Sequence, residues 1–396
     1  MDRRVDVAER RARLGLRHRL AGNPADDPLE VARDLVALHA TDAATVYLSA
    51  WARLRAPSVE AVERALYEDR TLIRMLGMRR TVFVVPVESA PAVQAGATDA
   101  VAVVQRRLLL KHLAEAGLGE EAWLKEVEES TLRALADRGS ATAAQLAADE
   151  PRLRSQLLMA EGKDYGGPQN ITSRVLNGLS QQGRIVRGRP RGTWISTQYH
   201  WSPVETWLPG GLTGLIAEEA RAVLAERWLA AYGPATPADL KWWTGWTGGQ
   251  TKAALAALDT VAVDLDGTPG VLLAGDAAPV DPPGPWVALL PALDPTIMGW
   301  VSRDWYLGPH GPTLFDRSGN PGPTVWVDGR VVGGWAQRVA DGRVVYRLLE
   351  KVSAAERKAI DARADELTEW LDPVTVTPRF RTPLERELAA SAVAAS

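Results

Sequence analysis

Residues 170–195 read NITSRVLNGLSQQGRIVRGRPRGTWI, and their order decides the fold class. Asn170 to Gln182 is expected to be a helix. Gly183-Arg184-Ile185-Val186-Arg187 and Gly192-Thr193-Trp194-Ile195 then read as two strands around a turn at Arg189-Pro190-Arg191. Two helices are expected upstream, Ala122 to Asp137 and the short Thr142 to Ala148. Three helices followed by a hairpin is the order of a winged-helix domain.

The same order recurs on both sides. Upstream, Ala8 to Leu20, Leu29 to Leu38 and a helix capped by Thr41 or Asp42 precede Val59 to Glu68. A hairpin of Thr71 to Met78 and Arg80 to Val85 closes the round at Pro86. Downstream, Gly214 to Tyr232, a helix from Thr236 or Pro237 through Trp243, and Thr247 to Leu258 precede a hairpin turning at Asp266-Gly267. From Trp286 to Leu349 the chain becomes strand-like, with Asp328-Gly329 and Asp341-Gly342 as hairpin turns. Ser353 to Leu371 reads as a closing helix.

The expectation is an α+β chain of three tandem winged helices and a C-terminal β-barrel. Its domains are residues 1–118, 119–208 with a basic wing, 209–280, the barrel at 281–350, and a helix and tail at 351–396.

Composition narrows the function. With 396 residues, 46% hydrophobic and 24% charged, the chain is of globular type. It has no cysteine, which excludes disulfides, thiolate metal sites and a cysteine nucleophile. The N-terminus has no apolar core for secretion, and no run of about 18 apolar residues appears. A soluble, cytoplasmic, nucleoid-associated monomer needing no metal or cofactor is expected. The net charge of −3 leaves nucleic-acid binding to a local basic face. Such a face is present: no Asp or Glu occurs from Tyr165 to Val204, where Arg174, Arg184, Arg187, Arg189 and Arg191 fall.

Four longer stretches carry a resemblance: LHATDAATVYLSAWARL (38–54), LIRMLGMRRTVFVVP (72–86), AAYGPATPADLKWWTG (230–245), and LLPALDPTIMGW (289–300) with PTVWVDGRVVGGWA (323–336). In order and spacing they resemble the AlkZ/YcaQ family of bacterial winged-helix DNA glycosylases. The resemblance implies a C-shaped clamp around DNA, with Asp294, Pro295 and Trp300 near its interior. It also points to the triplet His39-Ala40-Thr41, where better-understood members have Gln, apolar, Gln or Asp. There the outer side chains hold the water that attacks the sugar. Here His39 and Thr41 take those places, and Asp42 follows.

The chemistry asks little more of the protein. An N7- or N3-alkylated purine is cationic and leaves readily, so the enzyme must place a water and stabilise an oxocarbenium-like sugar. His39 can take the proton, Thr41 can hold the water, and Asp42 can orient His39 or stabilise the cation. Arg79 and Arg80 at the first hairpin, Asn170, Thr172, Ser173 and Arg174 at a helix start, and Arg187, Arg189 and Arg191 on the second wing are the expected DNA contacts. Each has a structural alternative as a cap or solvated turn, and Trp242, Trp243 and Trp246 are as readily core as stacking residues. The expected function is hydrolysis of N-alkylated, bulky or crosslinked purines from duplex DNA. A non-catalytic DNA-binding regulator or damage sensor is the alternative, and a scaffold for another protein a third.

Overall fold

The computed structural model describes residues 3–159, 167–212 and 214–392. The chain divides into two compact units, one of residues 1–62 and 222–396, the other of residues 63–221.

The first unit begins with β1 (Arg3–Arg4) and α1 (Val7–Arg17), which starts where the Asp6 carboxylate accepts from the Glu9 amide at 2.9 Å. α2 (Pro28–Asp34) has Pro28 in its first turn, where no donor is lost. It stops short of Leu38 because Val36 takes a φ of 65° and Leu38–His39 form the two-residue strand β2. α3 (Ala43–Trp51) begins on Asp42 and is buried on every side. α4 (Val59–Glu63) runs on as a π-helical turn to Glu68.

In the second unit, β3 (Leu72–Leu76) and β4 (Val82–Pro86) pair antiparallel around Arg79 and Arg80, both at positive φ. After α5 (Ala90–Val93) and α6 (Asp99–Glu115) come α7 (Glu121–Arg138), β5 (Ala141–Thr142) and α8 (Ala143–Asp149). A hairpin absent from the sequence expectation, β6 (Gln156–Met159) and β7 (Gly167–Asn170), precedes α9 (Thr172–Gln181). The helix therefore starts after Asn170. β8 (Ile185–Pro190) and β9 (Tyr199–Pro203) complete a sheet in the order β5-β9-β8. Here the reading is corrected, since the returning strand is Tyr199–Pro203 and not Gly192–Ile195. Trp201 lies in the apolar cluster with Leu176 and Ile185, while Gly192 at a φ of 79° belongs to the connecting loop. Gly192 in the left-handed region cannot continue a strand, and this breaks the earlier segment despite its local strand propensity.

Back in the first unit, α10 (Ala217–Tyr232) is followed by α11 (Pro237–Thr244) and α12 (Gly248–Ala256), opened by the capping boxes Thr236/Asp239 and Thr247/Gln250. β10 (Thr260–Leu265) and β11 (Thr268–Leu273) turn through Asp266 and Gly267, both at positive φ. β1 joins this hairpin in parallel, placing Val5 on Val263, Leu265 and Leu272.

β12 (Val287–Leu290), α13 (Asp304–Leu307), α14 (Gly311–Leu314), β13 (Thr324–Val327), β14 (Arg330–Gln337), β15 (Val344–Leu348), α15 (Ala354–Leu371) and α16 (Pro383–Ala389) end the described chain. The expected β-barrel is not formed. The four strands make an open antiparallel sheet in the order β12-β13-β14-β15. Residues 304–314 go into helical turns, and four strands are too few to close on themselves. Helices do the covering instead: α15 lies along β12 and β15, and α16 packs on β14. The two central strands are buried along almost their whole length as a result.

Candidate functional site

The loop His39-Ala40-Thr41-Asp42 is held by the helix it introduces. Asp42 caps α3: its Oδ1 accepts from the Ala44 amide at 3.2 Å, and its Oδ2 accepts from the Arg379 amide at 2.8 Å. One carboxylate thus fixes both the helix start and the passing C-terminal segment. Thr41 is half-buried, with the Arg379 guanidinium 3.5 Å from its carbonyl oxygen. His39 is 5% exposed. Beside Asp42 lies a cavity of about 10 Å³, lined also by Thr45, Trp335 and Gln337. That is about the smallest space that admits a water molecule.

What positions α3 is a polar stripe that the sequence reading did not single out. Thr45 and Ser49 lie four residues apart on one face of an otherwise apolar helix, and Arg53 follows four residues later, just past its end. All three reach the 292–296 segment. Thr45 Oγ1 donates to the Ala292 carbonyl at 2.9 Å, and Ser49 Oγ to Asp294 Oδ2 at 2.7 Å. Arg53 forms a two-pronged ion pair with Asp294, at 2.9 and 2.7 Å, with both side chains fully buried. Its remaining donors go to Thr296 Oγ1, the Ser49 carbonyl and the His18 carbonyl. All five guanidinium N–H groups therefore have acceptors, the condition under which a buried charge is tolerated. Burial pushes the Asp294 carboxyl up, but Arg53 and the donated hydrogen bonds win and hold it below the usual range.

His18 completes the node. Its Nδ1 lies 2.8 Å from Thr296 Oγ1 and its Nε2 3.2 Å from the Ala231 carbonyl. Burial, reinforced by the Arg53 charge, pushes its pKa down to about 3, so the ring is neutral at pH 7. A neutral ring assigns Nε2–H as donor to Ala231 and Nδ1 as acceptor from Thr296. Asp294 and Trp300 are thus core residues. Trp300 packs against His18, Tyr232 and Trp305, while Trp243 and Trp246 are buried.

In the second unit the structure brings together three of the expected DNA-contacting arginines. Arg80, Arg174 and Arg187 line one cleft of about 330 Å³ with Arg74 and Arg106, and Glu128 is its acidic member. Arg187 donates to Asn177 Oδ1 at 2.9 Å and lies over the Trp201 ring. Arg106 is taken by Glu121 and Glu128 at 2.7 Å each. Arg189 differs, because it pairs with Glu63 and Glu68 and stacks on Tyr67. Its charge is neutralised by acids more than a hundred residues away in sequence. Thr172 donates to the Leu153 carbonyl at 2.8 Å, tying down the start of α9. Asn170, Ser173 and Arg191 are exposed, Arg79 half-buried. Among the described residues no group of three or more His, Asp or Glu could hold a metal ion, and no helix is long and apolar enough to cross a membrane.

A family model described as DNA glycosylase AlkZ-like matches residues 32–370. Among solved structures, the Streptomyces sahachiroi DNA glycosylase AlkZ is similar, with a TM-score of 0.72 at 20% identity, over 93% of this chain and 97% of that one. At that identity the likeness is one of fold. No curated protein sequence matches.

Proposed function

Because the chain belongs to the AlkZ-like DNA glycosylase family, we propose that it hydrolyses the N-glycosidic bond of N-alkylated, bulky or crosslinked purines in duplex DNA. The observation that carries the reading is the reach of the family match. Residues 32–370 include both the His39-to-Asp42 loop, whose Asp42 borders a water-sized cavity, and the arginine cleft of the second unit. We take α7 to β9, with the β6–β7 hairpin inserted between α8 and α9, as one winged helix, and α10 to β11 as another of three.

A water held by Thr41 and Asp42 attacks the anomeric carbon. As the new C–O bond forms, the C–N bond breaks and its electron pair neutralises the cationic base. The water's proton passes to His39, and the Asp42 charge stabilises the oxocarbenium-like sugar. Each carboxylate oxygen of Asp42 retains acceptor capacity beyond its one backbone hydrogen bond. The product is an abasic site, with no strand break until alkali is added. Arg80, Arg174 and Arg187, with Arg79, Asn170, Ser173 and Arg191 beside them, contact the DNA backbone. Arg189 and Thr172 support the wing and helix from within.

The commitment of both Asp42 oxygens to backbone amides favours a second reading, in which the loop is structural and the protein only binds DNA. Duplex carrying N7-alkylguanine, incubated with protein and then treated with alkali, separates the two. His39→Ala is expected to cut the excision rate by about 10²–10⁴-fold. Asp42→Asn keeps the N-cap but turns its NH₂ towards the Arg379 amide, so its melting temperature is measured beside the rate, and a comparable loss of excision with unchanged stability reads out the charge. Tight binding without breaks at any of several bulky lesions would leave the DNA-binding reading.

A further inference from the structure

The C-terminal segment builds a second basic surface beside the candidate loop. A groove of about 1000 Å³ within the first unit is lined by Arg303, Arg317, Arg379, Arg381 and Arg386. Asp316 lines the groove with these five arginines and Glu385 pairs with one of them, and together they leave the groove positive. Glu385 is used by Arg381, at 2.6 and 3.0 Å. The Asp316 oxygens are consumed by their own turn, accepting from the Ser318 and Asn320 amides at 2.8 Å and from Asn320 Nδ2 at 2.9 Å. Arg317 and Arg386 are exposed and, among the described residues, their guanidinium groups have no ion-pair or hydrogen-bond partner.

The rest of the groove is built in advance. Arg303 is held between the Trp242 and Phe315 rings, at 4.8 and 4.9 Å, with its Nε donating to the Trp300 carbonyl. Arg379 is fixed through its backbone to Asp42 and reaches the Thr41 carbonyl with its side chain. Guanidinium groups in fixed planes, with open ones beside them, match the oxygens of a phosphodiester. Every deoxyribose carries a phosphate on either side, so a loop acting at an anomeric carbon needs an anion-binding surface next to it, and Arg379 places this one there.

We propose that this groove binds the backbone phosphates of duplex DNA that flank the nucleotide presented to His39, Thr41 and Asp42. The proposal rests on the reading above only in taking duplex DNA as the ligand. Its test uses the full chain and undamaged duplex, so it stands or falls apart from excision. Affinity is measured as a function of salt for wild type, Arg317→Ala, Arg386→Ala, the double variant and Arg386→Lys. Each alanine is expected to weaken binding about tenfold and to lower the slope of log affinity against log salt by about 1. The lysine variant keeps the wild-type slope because it keeps the charge. His39→Ala is also expected to keep the wild-type slope while losing excision. Wild-type affinity and slope in the double variant would overturn the proposal. A loss of affinity with an unchanged slope would do the same, since it reports a structural defect and not lost phosphate contacts. Saturation of the groove by inorganic phosphate with duplex binding unaltered in the double variant would also overturn it, assigning the site to a free anion.

Discussion

Replacing Asp294 by Asn tests whether the buried ion pair sets the stability of the unit that carries the candidate loop. The substitution keeps the side chain's size and removes its charge. In the native protein Asp294 accepts two hydrogen bonds from Arg53 at 2.9 and 2.7 Å, one from Ser49 at 2.7 Å and one from the Thr296 amide at 2.9 Å, with no exposure to solvent. The asparagine amide would turn an NH₂ towards Arg53 or Ser49 and leave the guanidinium charge uncompensated in the interior. Breaking such a pair from one side costs about 3–5 kcal/mol. For a domain of this size that lowers the melting temperature by roughly 6–20 °C. Urea unfolding followed by circular dichroism gives the change directly, provided the m-value is unchanged. Arg53→Met in the same protein supplies the control. With both charges gone, the double variant should be more stable than the sum of the single losses predicts. A cost under about 1 kcal/mol for Asp294→Asn, or simple additivity of the two losses, would show that the buried pair does not set this unit's stability.

His18 gives the unit a defined acid sensitivity. Its folded pKa of about 3 lies below the unfolded value near 6.5, so between these limits the unfolded chain binds the extra proton and stability falls as pH falls. The slope should approach about 1.4 kcal/mol per pH unit below pH 6, and melting curves from pH 7 to pH 4 would show whether His18→Asn flattens it. On β8, neighbouring arginines should behave differently in DNA binding. Arg187→Ala should lower the salt slope by about 1, whereas Arg189→Ala should leave it nearly unchanged because Glu63 and Glu68 already neutralise that charge. Equal slopes for the two variants would sink that distinction.

Much of this architecture is written locally. Asp42 before an apolar run, Thr236 ahead of Pro237 and the Asp266-Gly267 and Asp328-Gly329 turns each act within a few residues, and each is where sequence placed it. Excess positive charge was equally legible around Arg174 and Arg187. The returning strand Tyr199–Pro203, the open sheet and the partner of each arginine were not, since they depend on which distant surface is available for burial. Arg187 and Arg189 look alike in sequence, yet one lines a cleft while the other is neutralised by acids on a helix far upstream. Arg317 and Arg386 join Arg379 beside the candidate loop only once the chain has folded. Caps and turns follow from the sequence alone because their hydrogen bonds close over three or four residues. Charge pairing, sheet closure and the grouping of arginines were decided by tertiary structure, because desolvation and Coulomb energies depend on distance in space and not along the chain.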